Sequence, residues 1–360
     1  MRAAITGLGL WLPETVRTND DWPEDFTARA QDTAKALAEM PEISGDRIEQ
    51  ICARHQAAEL GDPFLGAVER RVVSPELRAY DTEAEAARRA LADAELDPAE
   101  LDVVLSWSIV PDRISPPSAA KLTHVLGAKR AWAMGVDSAC ASAMVQLSLG
   151  SAMIESGRAR HVLLTQSNLM TRVFAMGHPA SPGIGDAATA IVLSASERPG
   201  VLGVHAVTHG EHYESLAYIR GGDDETDTPW HEPGGPFFLG SRNREGMKEL
   251  MANTVRFGHD TIAEACRRTS TRPSDLDVIA CTQPRGWIPA AVAESLSLPA
   301  DRAPTTFTRY AHLGASAALA NLVDARDRGA LRPGSLVAIY SQGAGFTRAA
   351  AIVRWQPDAA

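Results

Sequence analysis

One cysteine, Cys140, occupies the position in this chain that best fits covalent chemistry. It lies within Val136–Ala143, where small residues follow an apolar segment and lead into a helix-like pattern without proline. This pattern predicts a thiol at a helix N-terminus, where unpaired N–H groups and the helix dipole favour the thiolate. The alternative is a buried cysteine that acts as a small hydrophobic side chain. The local sequence leaves both interpretations open.

The size and charge of the chain restrict its function. It has 360 residues, of which 45% are hydrophobic and 22% are charged, and its formal net charge is −10. A chain of this length can form two domains or one large double domain. The acidic balance argues against a general nucleic-acid-binding protein, because neutralising phosphates requires a basic face. A local basic patch for an acidic carrier partner is still compatible with this balance.

The cysteines also indicate a cellular setting. Cys52, Cys266 and Cys281 are interpreted as core residues, although Cys281 precedes Thr282 and could reach a pocket. The four cysteines have no metal-ligand spacing, so we expect no metal site. So few cysteines in a chain of this size indicate a reduced, cytoplasmic protein. The first residues resemble a strand rather than a signal peptide, and the longest uncharged stretch, residues 139–154, is too short and polar for a membrane span.

Helices and short apolar strands alternate along the chain, which predicts buried parallel strands joined by helices. Predicted strands cover residues 2–13, 101–110, 161–166, 191–194 and 200–209, and predicted helices cover 81–96, 118–126, the segment after Cys140, and 245–268. Two segments interrupt this order. Residues 20–62 are charged and helical, which indicates an inserted subdomain or a mobile lid. Residues 210–244 form a long polar loop of the kind that is often functional.

Two parts of the chain repeat each other at about half its length. Pro98–Val104 is echoed by Pro273–Ile279, 175 residues later, and Ala141–Met144 is echoed by Ala315–Ala318. Such a duplication predicts two βαβ-type halves packed about a pseudo-twofold axis, with helices on both faces of each sheet.

The duplication also supplies a partner for the cysteine. It makes the helix after Cys140 equivalent to the helix that begins near Leu313, so that both N-termini point at one pocket. His312 stands at the start of the second helix. A cysteine and a histidine at one site form the arrangement that activates a thiol nucleophile.

Further motifs resemble those of the β-ketoacyl-acyl carrier protein (ACP) synthase III group of the thiolase superfamily. They are Val16–Asn19, Glu69–Arg71, Ile109–Asp112 with Pro116–Ala120, Gly185–Ala188, and Gly343–Thr347 with Ala350–Trp355. The resemblance covers nearly the whole chain apart from residues 20–62 and 210–244. It implies an α/β thiolase fold with duplicated halves in a layered αβαβα arrangement. Residues 1–199 would carry the nucleophilic cysteine, and residues 200–360 would carry the catalytic histidine and the oxyanion loop.

By this resemblance, Cys140 takes an acyl group as a thioester, and the backbone N–H groups of Cys140 and Ala344 form the oxyanion hole. Two departures affect the chemistry. Thr282 replaces the histidine of the family's H-Q-A-N segment, and His312 replaces the asparagine of its R-Y-G-N-T segment. In decarboxylating members those two residues stabilise an enolate, so their absence argues against condensation. His312 alone can still act as a base toward Cys140 or an acceptor.

The resemblance also suggests substrate contacts. The family's clamp for the adenine of coenzyme A is not recognisable here, so a carrier-protein thioester is at least as good a donor as acyl-CoA. Residues expected to contact substrate are Thr282, Gln283, Arg285, Trp287 and His178. For Arg285 and Trp287 a surface structural role is an equal alternative, and for His178 a solvated position in its loop is the simpler interpretation.

These observations leave three hypotheses. The first is a ping-pong acyltransferase that moves an acyl group from ACP or CoA through Cys140 to a hydroxyl, amine or thiol. Its acceptor would be a small molecule or carrier-bound, in polyketide or other natural-product biosynthesis. The second is a decarboxylating synthase in which His312 works with Thr282 or Gln283. The third is a non-catalytic carrier-binding partner, which would not need the thiol. The resemblance further implies a homodimer, and we expect no metal or redox cofactor.

Overall fold

The computed structural model describes residues 1–24, 26, 28, 45–59, 61–174, 176–220, 228–229, 231–235 and 237–356. Strands in these residues are β1 (Arg2–Trp11), β2 (Thr15–Thr18), β3 (Glu69–Val72), β4 (Val103–Ser108), β5 (Trp132–Gly135), β6 (His161–Asn168), β7 (Ala187–Ser196), β8 (Val201–Thr208), β9 (Ala217–Arg220), β10 (Phe237–Gly240), β11 (Val278–Cys281), β12 (Leu336–Gly343) and β13 (Thr347–Arg354). Helices are α1 (Arg47–Glu59), α2 (Ala79–Asp93), α3 (Ser118–Leu126), α4 (Ser142–Glu155), α5 (Arg244–Ala252), α6 (Thr254–Arg268), α7 (Ile288–Ser295), α8 (Phe307–Tyr310) and α9 (Ala317–Asp327).

Two mixed sheets form the centre of the molecule. The first has the order β1-β7-β6-β4-β5, and the second has the order β8-β13-β12-β11. The predicted layered α/β architecture is confirmed, but the prediction of parallel strands was wrong for four strand pairings of the central sheets. β7 runs antiparallel to β1 and β6, and β13 runs antiparallel to β8 and β12. In each half the chain returns from β6 or β12 without a crossover helix, so the next strand must reverse direction.

The repeat in the sequence is a repeat in the structure. α4 and α9 occupy equivalent places, and each follows a single 3-10 turn, Ala139–Ala141 before α4 and Gly314–Ser316 before α9. Both turns open on a residue with positive φ, 49° at Ala139 and 53° at Gly314. Buried side chains of both helices belong to one hydrophobic cluster that also contains residues of both sheets. The two halves therefore share a core at the level of the central helices.

α4 packs between the sheets through apolar residues. Ala143, Met144, Leu147 and Ile154 are all fully buried. The face of α4 that carries these residues is enclosed by protein, whereas Ser148, Leu149 and Glu155 are exposed. Gly150 shows how closely it packs, since a Cβ there would lie 2.9 Å from Leu193 Cδ1.

The segments that interrupt the repeat form their own elements. The predicted helix 245–268 breaks into α5 and α6 at Asn253, which ends one helix and begins the next. The long loop 210–244 carries a hairpin made of β9 and β10. In the 20–62 segment, α1 confirms the predicted helix near residues 45–60 and packs against α6 and α7 through Ile51 and Cys52. The helix-like stretch 33–40 lies outside the described residues.

The remaining cysteines behave as predicted. Cys52, Cys266 and Cys281 are buried and unpaired. Across the described ranges, no helix combines the length and the hydropathy that a membrane span requires.

One carboxyl group is enclosed within the outer layer of the first half. Glu83, on α2, is fully buried and accepts hydrogen bonds from Ser118 Oγ at 3.0 Å, Thr165 Oγ1 at 2.9 Å and Ser167 Oγ at 2.8 Å. Burial raises the pKa of Glu83 to about 7, although the hydroxyl groups partly stabilise the anion. The ionised form is therefore unfavourable in the folded protein.

This carboxyl predicts a pH-dependent stability. Because its folded pKa of about 7 exceeds the ordinary value of 4.5, its stabilising effect is complete below pH 4.5 and is lost as the pH rises through 7. The unfolding free energy of Glu83→Gln minus that of the wild type should therefore increase by about 2 kcal/mol when the pH is raised from 5 to 8. Urea unfolding at the two pH values measures this gain. Glu85→Gln, an exposed neighbour on the same helix, should show no such change, and an equal difference at both pH values for Glu83→Gln would contradict the prediction.

Candidate active site

Cys140 lies in the 3-10 turn Ala139–Ala141, between β5 and the N-terminus of α4. The predicted position at a helix start is confirmed. Asp137 holds the turn in place, because its carboxylate accepts the N–H of Ala139 at 2.8 Å and the indole N–H of Trp107 at 2.7 Å. Asp137 therefore has a structural role in this turn.

The environment of the Cys140 thiol opposes ionisation. Burial raises the pKa of Cys140 to about 12, and the negative charge of Asp137 adds to the rise. The backbone N–H of Cys140 lowers this pKa, in the direction that a helix N-terminus predicts, but burial outweighs it in the resting protein. A shift of three pH units corresponds to at most about 4 kcal/mol, whereas a helix dipole contributes no more than about 2 kcal/mol. The thiol is neutral at pH 7 and needs a base to become a nucleophile.

His312 lies beside this turn. It precedes the turn Gly314–Ser316, which packs directly against the Cys140 turn. The N–H of His312 donates to the Gly183 carbonyl at 2.8 Å, and its own carbonyl accepts the N–H of Gly185 at 3.1 Å. The predicted convergence of the two helix starts is therefore present in the fold.

The ring of His312 is buried and uncharged at neutral pH. Burial lowers the pKa of His312 to about 4, the charge of Arg285 lowers it further, and the backbone of Gln283 opposes the shift. No described residue forms a hydrogen bond with its Nδ1. A neutral imidazole with a nitrogen free of protein partners is the form that a general base requires.

The residue before His312 has an unusual backbone. Ala311 has φ 56° and ψ −155°, a region that is nearly exclusive to glycine. Its carbonyl accepts a hydrogen bond from Gln283 Nε2 at 3.2 Å. The fold thus holds the loop in a strained conformation that carries His312 to the turn of Cys140.

Gln283 is the residue that fixes this loop. It is fully buried, and its amide bonds to four residues: Thr305, Thr306, Ala311 and Asn321. The amide of Gln283 already uses its donors and acceptors within the protein, and substrate contact by Gln283 stays a prediction. Gln283 is a positioning residue for the loop that ends at His312.

Thr282 behaves differently from its neighbour. It is fully buried at the end of β11, and within the described chain its Oγ1 has no hydrogen-bond partner. Buried hydroxyl groups are nearly always hydrogen-bonded in folded proteins. The Thr282 hydroxyl is therefore available to a bound molecule.

The loop after β12 brings a second backbone segment to Cys140. Ala344 begins a 3-10 turn that packs against the Cys140 turn. A Cβ on Gly343 would lie 2.4 Å from the Ser138 carbonyl oxygen and 2.8 Å from the Cys140 nitrogen, so only glycine allows this approach. The N–H groups of Cys140 and Ala344 are thus carried on adjoining turns, as a two-donor oxyanion hole requires.

The predicted donor contacts lie against α1. Arg285 Nε is 3.9 Å from Glu59 Oε2, and Trp287 stacks on the ring of His55 with centroids 6.2 Å apart. Burial raises the pKa of Glu59, while Arg285 and Trp287 partly offset the rise. Arg285 and Trp287 are both half-buried. The sequence could not show that the inserted segment pairs with them, since the contacts join residues more than 200 positions apart.

His178 has a local role in its loop. Its Nδ1 accepts the N–H of Ala180 at 3.1 Å, and its ring packs edge-on against Phe174 with centroids 5.0 Å apart. The ring is half-buried. These contacts stabilise the loop 169–186, and substrate contact by His178 stays a prediction.

One residue at this site was missed by the sequence reasoning. Tyr218, on β9, has a buried hydroxyl oxygen, and its cross-strand partner Leu239 packs against Ile184 in the loop that holds His312. The only sequence signal was its place in the long polar loop 210–244, whose specificity was not readable. For metal binding, no cluster of three or more His, Cys, Asp or Glu side chains suited to an ion occurs in the described part of the chain.

Two family models match the chain, both for 3-oxoacyl-[acyl-carrier-protein (ACP)] synthase III. One covers residues 134–210, and the C-terminal model covers residues 266–355. The chain is 32% identical over 289 residues to the β-ketoacyl-[acyl-carrier-protein] synthase III of Sphingopyxis alaskensis, which is 79% of this chain and 86% of that protein. It is 29% identical over 355 residues to the protein of the same name from Roseiflexus castenholzii, which is 98% of each chain.

Solved structures share the fold. The 3-oxoacyl-(acyl carrier protein) synthase III of Pseudomonas aeruginosa aligns with a TM-score of 0.78 at 24% identity over 99% of both chains. The priming β-ketosynthase of a polyketide biosynthetic pathway aligns with a TM-score of 0.78 at 22% identity, over 99% of this chain and 97% of that chain. The thiolase-type fold expected from the motifs is therefore confirmed.

The raised pKa of Cys140 predicts slow alkylation in the resting protein. At pH 7, iodoacetamide should label Cys140 far more slowly than it labels a free cysteine, and the rate should rise about tenfold for each pH unit up to pH 9. Peptide mass spectrometry at timed intervals measures this rate. Cys140→Ser provides the background, and a rate that levels off below pH 8 would show that the thiolate already exists near neutral pH.

Proposed function

The chain belongs to the β-ketoacyl-ACP synthase III family, and we propose that it is an acyltransferase that works through Cys140 without decarboxylative condensation. One observation carries this proposal: the turn that follows His312 packs against the Cys140 turn, and the His312 imidazole is buried and uncharged, while Thr282 occupies the position of the family's histidine. A neutral base and a thiol suffice for acyl transfer.

In the first half-reaction, His312 removes the proton of the Cys140 thiol. The sulfur attacks the thioester carbonyl of an acyl donor, and the N–H groups of Cys140 and Ala344 hold the oxyanion that forms. The bond to the donor's sulfur then breaks, and the departing thiolate takes the proton from His312. The products are an acyl group on Cys140 and a free donor thiol.

In the second half-reaction, His312 removes a proton from the hydroxyl, amine or thiol of an acceptor. The acceptor attacks the Cys140 thioester, the bond from sulfur to the acyl group breaks, and Cys140 recovers its proton. Neither half-reaction changes an oxidation state, so the proposed mechanism requires no redox cofactor. The donor in this proposal is a carrier-bound or CoA thioester that approaches past Arg285 and Trp287, on the side covered by α1.

A second candidate is a decarboxylating condensation, which is favoured by the names of the relatives. For that reaction, two hydrogen-bond donors must stabilise the enolate of a malonyl thioester. The imidazole N–H of His312 and the free hydroxyl of Thr282 are the available pair, since the amide of Gln283 is already engaged.

The transfer mechanism predicts a covalent intermediate. With an acyl-CoA or acyl-ACP donor, the wild type should gain the mass of one acyl group on Cys140, and Cys140→Ala should gain none. His312→Ala should slow acylation by about 100-fold or more, because a neutral thiol would lack its base. Rapid-quench mass spectrometry measures both effects. Equal transfer by Cys140→Ala would refute the mechanism.

A malonyl donor separates the two candidates. An acyltransferase should load and pass on the malonyl group intact, whereas a condensing enzyme should release carbon dioxide and form a β-ketoacyl product. Radiolabel in the malonyl carboxyl group distinguishes these outcomes directly. Release of label in step with product formation would overturn the proposal in favour of condensation.

We further propose that the chain forms a homodimer through the edge of its first sheet. β5 is an edge strand of that sheet, and Trp132 at its start is 60% exposed. An exposed strand edge with a large apolar side chain is a template for pairing with another chain. Sedimentation equilibrium should give twice the chain mass, and Trp132→Glu should shift it toward one chain; a wild-type monomer at micromolar concentration would contradict this proposal.

A further inference from the structure

We propose that Tyr218 recognises an oxygen substituent on the acyl group that Cys140 carries, so that the preferred donors are hydroxyacyl thioesters rather than plain alkyl thioesters. This inference rests on the proposed function, since it assigns the class of acyl group for the same site.

The position of Tyr218 follows from the hairpin that carries it. In the β9–β10 pair Tyr218 lies directly opposite Leu239, and residues opposite each other in an antiparallel pair project from the same face. Leu239 packs against a buried cluster formed by Met170, Phe174 and Ile184. The hairpin therefore lies on the loop 169–186 with Tyr218 on the face that meets it.

That loop leads directly to the reacting residues. Ile184 forms a parallel backbone bridge with His312, and its neighbours Gly183 and Gly185 make the two hydrogen bonds that hold the His312 main chain. Tyr218 thus lies over the segment that supports the base.

The hydroxyl of Tyr218 is buried but forms no hydrogen bond with the described residues. Its oxygen is shielded from solvent. Buried tyrosine hydroxyls normally find a partner, and an unsatisfied one destabilises the fold. A bound group that supplies an oxygen would remove this penalty.

Asp186, which precedes β7, does not serve as that partner. Asp186 accepts hydrogen bonds from the Val73 N–H at 2.8 Å, the Thr171 N–H at 3.0 Å and the Thr171 hydroxyl. Burial raises the pKa of the Tyr218 hydroxyl. The phenol therefore stays protonated and can donate to an acceptor oxygen or accept from a hydroxyl.

The acyl group fits this position better than the acceptor does. The hairpin lies on the loop that holds the His312 main chain, and the turn after His312 packs against the Cys140 turn. The group that occupies the space next to the Cys140 sulfur in both half-reactions is the acyl chain bonded to it. The acceptor enters only after the acyl chain is in place. Tyr218 therefore selects the group that is loaded.

The test compares rates of Cys140 acylation from butyryl-CoA with those from 2-, 3- and 4-hydroxybutyryl-CoA, which place the oxygen at three distances from the sulfur. In the wild type, at least one hydroxybutyryl donor should react about tenfold faster than butyryl-CoA. Tyr218→Phe should lower that preference by about fivefold to tenfold, which is the contribution of one hydrogen bond, and should leave the butyryl rate unchanged. Tyr213→Phe, at a tyrosine that is 71% exposed, is the matched control and should change neither rate.

A structural role for the hydroxyl would give a different result. Removing an unpartnered buried hydroxyl should leave the thermal midpoint of Tyr218→Phe equal to or above that of the wild type. The inference would be overturned if Tyr218→Phe had a lower thermal midpoint but kept the wild-type ratio of hydroxybutyryl to butyryl acylation rates. It would also be overturned if this ratio were the same in the wild type and the variant for every donor. An effect confined to the second half-reaction would assign the contact to the acceptor and also overturn it.

The outcomes separate this inference from the proposed function. If no donor acylates Cys140 in the wild type, the proposed function itself fails. If all four donors acylate Cys140 at rates that do not depend on Tyr218, the acyltransferase proposal stands and the assignment to Tyr218 is refuted.

Discussion

Desolvation at the meeting point of the two central helices is the constraint on which the rest of this structure depends. The turns before α4 and α9 pack against each other between the two sheets, and the backbone of Gly343 closes on the Cys140 turn from a third side. Positive φ angles at Ala139 and Gly314 allow the chain to turn sharply at both helix starts. Enclosure by three backbone segments keeps charge out of this space, which sets the ionisation states of both reacting side chains.

Those ionisation states determine the chemistry that the site can perform. Burial raises the pKa of Cys140 and lowers the pKa of His312, so the resting pair is a neutral thiol and a neutral imidazole. Such a pair differs from a preformed thiolate–imidazolium ion pair, because the proton moves only when a donor occupies the site. The same enclosure strengthens hydrogen bonds from backbone N–H groups to an oxyanion. A site of this kind favours covalent acyl transfer and protects the thiol from adventitious reaction.

Two elements outside the sequence repeat pack against segments that carry residues of the site. α1 packs against α6 and α7 and places Glu59 beside Arg285. The surface where donor contacts are expected therefore carries an acidic and a basic side chain. The β9–β10 hairpin packs through Leu239 against the loop that supports His312, and Tyr218, whose hydroxyl is buried, lies on the same face of the hairpin. Both elements belong to the segments that interrupt the repeat. Variation in such segments alters what a conserved scaffold binds while leaving its core intact.

The sequence by itself determined the repeat, the helix start at Cys140, the approach of His312 by pseudo-symmetry, and the core placement of the other cysteines. These features follow from local pattern and from duplication, both of which can be read along the chain. Tertiary structure alone decided the antiparallel strands, the saturation of Gln283, the packing of α1 and the position of Tyr218, because each depends on contacts between residues far apart in sequence. It also decided the protonation of Cys140. A helix N-terminus is visible in a sequence, but the burial that outweighs its dipole exists only once two sheets and three turns have closed around the thiol.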